Sequence, residues 1–118
     1  MLRILLVEDD PHVATVTRDL LEYCGYHATV ATNGSHGLDV IRKQSPDLVI
    51  TDFMMPMMSG LEMIEKARET GYPGTVIVCS AVPEAQFPRH HARYDFFLQK
   101  PYDVHALLKV LAHLHEPL

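Results

Sequence analysis

Asp52 ends an apolar run, Leu48-Val49-Ile50-Thr51, and is followed by Phe53-Met54-Met55-Pro56-Met57-Met58-Ser59-Gly60, so a carboxylate is presented where a buried strand gives way to a loop. The same device recurs along the chain. Ile4-Leu5-Leu6-Val7 runs into Glu8-Asp9-Asp10, Val76-Ile77-Val78-Cys79 into Ser80, and Phe96-Phe97-Leu98 into Gln99-Lys100-Pro101. Acids, a hydroxyl and an ammonium at the ends of apolar strands are the parts for chemistry on an anionic group. Glu8, Asp9 and Asp52 form a hard oxygen donor set without His or Cys, which suits Mg²⁺. Ser80 can donate a hydrogen bond to phosphoryl oxygens and Lys100 can pair with them as a point charge. A nucleophile, a metal and two electrophilic anchors are what phosphoryl transfer to a carboxylate requires. Asp10 stands apart, because its place before Pro11 gives it a helix-capping task.

The elements that must position these groups are legible from periodicity. After the first strand, a helix starts at Asp10-Pro11, runs with Val13, Val16, Leu20, Leu21 and Cys24 at helical spacing and ends at Gly25. A second strand covers Tyr26 to Ala31 and leads to the turn pair Asn33-Gly34. A second helix spans about Ser35 to Lys43, burying Leu38 and Ile41 and stopping before Pro46. The third strand is Asp47 to Thr51. Ser59 caps a third helix with Leu61, Ile64 and Ala67 inward, and Gly71-Tyr72-Pro73-Gly74 breaks it before the fourth strand. The last helix, Asp103 to about His115, presents Val104, Leu107, Leu108 and Leu111 to the core. Ala81 to Tyr94 fits least well: Pro83 and Pro88 each remove a backbone donor, so a short or irregular fourth helix is expected there.

Alternating strands and helices imply an α/β fold, a doubly wound parallel sheet with right-handed crossovers and helices on both faces. Ligands of such sheets bind beyond the carboxyl ends of the strands, where strand order reverses. The polar strand ends would meet in that crevice.

Bulk properties narrow the function. The chain has 118 residues, 47% of them hydrophobic, enough for one packed core, and is read as a single domain over residues 1–118. A net charge of −5 disfavours direct nucleic-acid binding. No apolar run is long enough to cross a bilayer, and the first apolar stretch meets Glu8, unlike a secretion signal, so no membrane partner and a cytoplasmic location are expected. Cys24 and Cys79 are too few and too far apart for a disulfide framework and read as buried thiols. The eight histidines, among them His90-His91 and His113-x-His115, lack metal-site spacing and read as solvated. Met55 reads as core packing, the methionines at 54, 57 and 58 as loop cover.

The ordered set Ile4-Leu5-Leu6-Val7-Glu8-Asp9-Asp10, Asp52-x-x-Met55-Pro56-x-x-x-Gly60, Ser80-Ala81 and Lys100-Pro101 closely resembles the receiver domain of two-component response regulators, over essentially the whole length, which implies the flavodoxin-like receiver fold with five parallel strands in the order 2-1-3-4-5. The resemblance implies that Asp52 accepts phosphate from the phosphohistidine of a sensor histidine kinase or histidine phosphotransferase, catalysing its own phosphorylation and dephosphorylation, and then switches its surface toward a downstream protein partner. It implies that Glu8 and Asp9, with Asp9 the more direct ligand, hold Mg²⁺ together with Asp52 and the Met54 backbone carbonyl. It implies that Ser80 and Lys100 sense the phosphoryl group, that Lys100-Pro101 is the family's cis proline bond, and that Phe97 is the aromatic switch, where many relatives carry Tyr. It also places Met54 and Val82 beside the path of the water that hydrolyses the acyl phosphate, where neither side chain can orient a water.

Two rivals share this architecture. A magnesium phosphatase of the haloacid dehalogenase type would use Asp52 as nucleophile but wants a second acid where Met54 stands. A flavodoxin-like cofactor binder would offer hydroxyl and glycine donors after the first strand, whereas Glu8-Asp9-Asp10 would repel the anion. Because Ala81 to Tyr94 lies where receivers usually present their output surface, the sequence also suggests signalling through an unusual surface there.

Overall fold

The computed structural model describes residues 2–87 and 93–114. Strands β1 (Arg3–Val7), β2 (His27–Ala31), β3 (Leu48–Asp52), β4 (Thr75–Ser80) and β5 (Phe96–Gln99) alternate with helices α1 (Pro11–Tyr23), α2 (Gly34–Gln44), α3 (Gly60–Glu69) and α4 (Val104–Leu114). The sheet order is β2-β1-β3-β4-β5, and every pair is parallel. This is the expected doubly wound arrangement. Between β4 and β5 the described residues hold one 3₁₀ turn, Glu84–Gln86, where the sequence suggested a short or irregular helix. Pro88, Arg89, His90 and His91, which figured in that reading, and His115 lie outside the described residues.

The strands are apolar on both faces because both faces are covered. Leu5 and Val7 join Leu38, Ile41, Leu61, Ile64 and Ala67 under α2 and α3, while Ile4 and Leu6 join Leu21, Leu107 and Leu111 under α1 and α4. Cap chemistry sets the helix starts. Asp10 accepts from the amides of His12 and Val13, Asn33 from His36, and Ser59 from Glu62. The Asn33-Gly34 pair read as a turn is therefore the start of α2.

Four helix-face expectations are corrected. Val13 (41% exposed), Val16 (55%) and Cys24 do not face the core; α1 buries Leu21, as expected, together with Ala14, with Thr17 and Arg18 half-buried between them. A polar pair on the inward face hid the true stripe. Cys24 belongs to the helix end and is exposed, not a buried thiol. Val104, in the first turn of α4, is 42% exposed, leaving Leu107 and Leu111 to the core and Leu108 packed at its margin. Cys79 is buried as expected, and the described histidines, at 12, 27, 36, 105 and 113, are all exposed.

Arg68 closes the edge of the sheet beside β4 and β5. Its guanidinium donates to the carbonyls of Tyr72 (2.8 Å), Gly74 (2.7 Å) and Arg93 (3.2 Å) and pairs with Asp95 (3.2 Å). Asp95 in turn accepts from the Val76 amide at 2.8 Å, so one side chain ties the end of α3, the start of β4 and the approach to β5.

Candidate functional site

Sheet register brings the acids together. Val7 pairs with Thr51, so Glu8 and Asp52 emerge side by side at the point where strand order reverses. Glu8 is held by its own amide on the Ala31 carbonyl (3.0 Å) and accepts from the Asp10 amide (3.2 Å). Asp10 is spent on its helix cap, as its place before Pro11 implied. Asp52 is fixed through its backbone: Thr51 Oγ1 donates to its carbonyl at 2.9 Å, and the next amide, of Phe53, donates to the Cys79 carbonyl at 3.0 Å. The start of α3 packs directly on this strand end, with the Gly60 amide donating to the Phe53 carbonyl at 2.8 Å. A Cβ at Gly60 would fall on the Asp52 carbonyl oxygen, which is why only glycine fits there.

From the other side come Ser80 and Lys100. The Lys100 amide donates to the Ser80 carbonyl (2.7 Å), and the Lys100–Pro101 peptide is cis. Lys100 Nζ lies 2.6 Å from Asp52 Oδ1 and 3.6 Å from Glu8 Oε1. Burial works against the ammonium, but the Asp52 hydrogen bond and the charges of Asp52 and Glu8 outweigh it and raise its pKa. Glu8 is also raised, by burial first and then by its hydrogen bond and charge repulsion with Asp52. The Ser80 hydroxyl, 3% exposed, accepts from the Val82 amide at 2.9 Å, which leaves its own hydrogen free to donate.

One carboxylate oxygen each from Glu8, Asp9 and Asp52 lies within 4.8 Å of the others. Glu8 and Asp52 are buried, and the single ammonium of Lys100 leaves the three acids in charge excess, so a divalent cation with oxygen preference fits the set. Met54, whose carbonyl the resemblance adds to that shell, sits two residues past Asp52 with a 67% exposed side chain.

Two neighbours of the site went unread in the sequence. Tyr102 packs against the core cluster that holds Cys79, beside Asp52; burial and then the Asp52 charge push the Cys79 thiol up to about 12, and burial likewise raises Tyr102. Phe87, between two prolines and without periodicity, is 7% exposed. Its ring centroid lies 4.5 Å from Phe53, 5.3 Å from Phe97 and 6.1 Å from Tyr94. Phe97 is thus both core and neighbour of an aromatic cluster that reaches the residue after Asp52. Met55 and Met58 pack against the core; Met57 is fully exposed.

Comparisons with known proteins agree with this geometry. The family profile for the response regulator receiver domain matches residues 4–112. The chain is 35% identical over 108 residues to the uncharacterized transcriptional regulatory protein YkoG of Bacillus subtilis, covering 89% of this chain and 47% of that protein. It is 31% identical over 112 residues to the probable C4-dicarboxylate response regulator DctR of Priestia megaterium, covering 92% and 49%. The chain therefore spans about half the length of the curated relatives it matches. Among solved structures, a Francisella response regulator 1452 receiver domain superposes with a TM-score of 0.88 at 25% identity, covering 97% of this chain and 96% of that one. The chemotaxis protein CheY4 of Vibrio cholerae shares the fold, with a TM-score of 0.86 at 22% identity over 98% of this chain and 99% of that one. Neither the phosphatase nor the cofactor-binding rival is favoured. Acids at the switch point, the lysine facing them and the match over nearly all of the chain lead to one conclusion: this protein belongs to the response regulator receiver domains of two-component systems, a family of signalling switches.

Proposed function

We propose that Asp52 is the phosphoacceptor, serving a sensor histidine kinase or a histidine phosphotransferase, and that Ser80 and Lys100 hold the transferred group. The observation that carries this reading is the 2.6 Å approach of Lys100 Nζ to Asp52 Oδ1 inside a cluster of three carboxylates. A carboxylate oxygen of Asp52 forms the new bond to phosphorus as the bond to the donor's imidazole nitrogen breaks, the electron pair leaving with the imidazole. Lys100 exchanges its Asp52 partner for a phosphoryl oxygen, and the Ser80 hydroxyl donates to another. Glu8, Asp9, Asp52 and the Met54 carbonyl would hold Mg²⁺, which offsets the repulsion between carboxylate and phosphoryl group. On this reading residues 1–118 act as one domain in the cytoplasm, catalyse their own phosphorylation and dephosphorylation, and signal through a downstream protein, not by touching nucleic acid or membrane. Among the described residues no helix is long and apolar enough to cross a membrane.

Incubation with acetyl phosphate and Mg²⁺ followed by intact mass tests the assignment. One added phosphate in the wild type and none in Asp52→Ala is expected; undiminished uptake by the variant overturns it. The acyl phosphate is expected to be long-lived, because Met54 and Val82 offer no group to orient a water. Met54→Asn should shorten its lifetime by about an order of magnitude, and a fast wild-type decay unchanged by the substitution would count against that expectation.

A further inference from the structure

Beside Asp52, the chain leaves an open cup of about 400 Å³ lined by Val13, Ala81, Lys100, Pro101 and Tyr102. Three stretches of chain meet there, and hydrogen bonds hold each wall in place. Val13 stands in the first turn of α1, where Asp10 accepts from its amide. Ala81 is spanned by the bond from the Val82 amide to Ser80 Oγ, and the Lys100 amide donates to the Ser80 carbonyl at 2.7 Å, which joins the Ala81 wall to the wall of Lys100, Pro101 and Tyr102. The lining side chains are apolar or aromatic except for Lys100, whose ammonium lies 2.6 Å from Asp52 Oδ1. Val13 is partly exposed, so its apolar surface is not spent on the core of the protein. Carbon walls with one cation among them fit a small ion that has an anionic head and a short apolar tail.

We propose, resting on the phosphoacceptor reading above, that the cup is a subsite for the acyl chain of a small-molecule phosphodonor, and that acyl phosphates with three- or four-carbon chains phosphorylate Asp52 faster than acetyl phosphate does. A carboxylate oxygen of Asp52 bonds to phosphorus while the bond from phosphorus to the acyl oxygen breaks, and the electron pair leaves on the released carboxylate with no proton transferred. The attacking and leaving oxygens stand in line across the phosphorus, so the acyl group projects away from Asp52. Lys100, which takes a phosphoryl oxygen, is also a wall of the cup, so the transferring group and the cup lie side by side. Acetyl phosphate offers the cup a single methyl group. Butyryl phosphate adds two methylenes, which leave water against Val13, Pro101 and Tyr102. These contacts persist as the phosphorus–oxygen bond breaks, so they raise kcat/KM.

Initial rates of mass gain with acetyl, propionyl and butyryl phosphate, at equal subsaturating concentration and fixed Mg²⁺, test this. The released carboxylates differ little in basicity, so the ratio of rates reads the cup and not the leaving group. Butyryl phosphate is expected to react about fivefold faster than acetyl phosphate, with propionyl phosphate between them. Val13→Thr keeps the shape of one wall and makes it polar, so the butyryl to acetyl ratio should fall toward one. Val13→Phe fills the cup and should bring the ratio to one or below. Val13 lies outside the core, so neither substitution disturbs the packing that holds the fold. Equal rates in the wild type overturn the proposal, as does a butyryl preference that neither variant changes. No uptake from any donor, or uptake undiminished in Asp52→Ala, would remove the phosphoacceptor reading and this proposal with it. Uptake that is lost in Asp52→Ala but indifferent to chain length would remove this proposal alone.

Discussion

The two rims of the crevice are built by different means. On the β1–β3 rim, Asp52 and Glu8 are placed by backbone: sheet register, carbonyl and amide hydrogen bonds, and the close approach of α3 at Gly60. On the β4–β5 rim, the segment leaving Ser80 is placed largely by side chains: one hydroxyl, one tyrosine–glutamate hydrogen bond and a cluster of aromatic rings. Backbone contacts of the first kind have no second arrangement nearby, whereas rings and rotors do. Asp52 is therefore held still and the β4–β5 rim is free to change.

Substitutions can break this contrast or sharpen it. Gly60→Ala should be the most damaging, because the added methyl meets the Asp52 carbonyl oxygen; a loss of about 3 kcal/mol in urea unfolding is expected. A neutral result would mean that the fixed rim is softer than its contacts imply.

Glu8→Gln should have a smaller effect of opposite sign. Glu8 is buried beside Asp52 and its pKa is raised, so the folded state holds this proton more tightly than the unfolded chain does. Its charged form thus costs stability, a cost absent below the unfolded pKa and complete once pH exceeds the folded one. In metal-free buffer at pH 7, the variant should gain about 1 kcal/mol, with the gain vanishing below about pH 4. It should also bind Mg²⁺ more weakly, which titration calorimetry would show. Tyr94→Phe, on the β4–β5 rim, should cost least, about 0.5 kcal/mol for one exposed hydrogen bond. A loss as large as that of Gly60→Ala would erase the distinction between the rims.

Much of the fixed rim was legible because its signals are local. An apolar run ending in Asp52, an aspartate before Pro11 and a serine before α3 each announce an element boundary by their own chemistry, and the structure places Glu8, Asp9, Asp52 and Lys100 together as their positions implied. The glycine at 60 was visible as part of a motif, but its reason is a contact between segments that no spacing reveals. The β4–β5 rim was legible only as an irregularity. Phe87 has no periodic partners, and its cluster joins residues from three separate stretches of chain, at 53, 87 and 94–97. The core face of α1 was misread for a related reason: Thr17 and Arg18 interrupt the apolar stripe, while Val13 and Val16 imitate one on the exposed side.

The Arg68 staple has a practical consequence. The chain between Ser80 and Arg93 starts from a sheet strand and returns to a guanidinium that holds the Arg93 carbonyl and Asp95. Lengthening a tether between two anchored points costs little, since closure entropy grows only with the logarithm of its length. A peptide spliced in after Ala85 would thus leave the strands paired but break the 3₁₀ turn that seats Phe87 in the core, so foreign sequence grafted there would be reported by the packing of that ring.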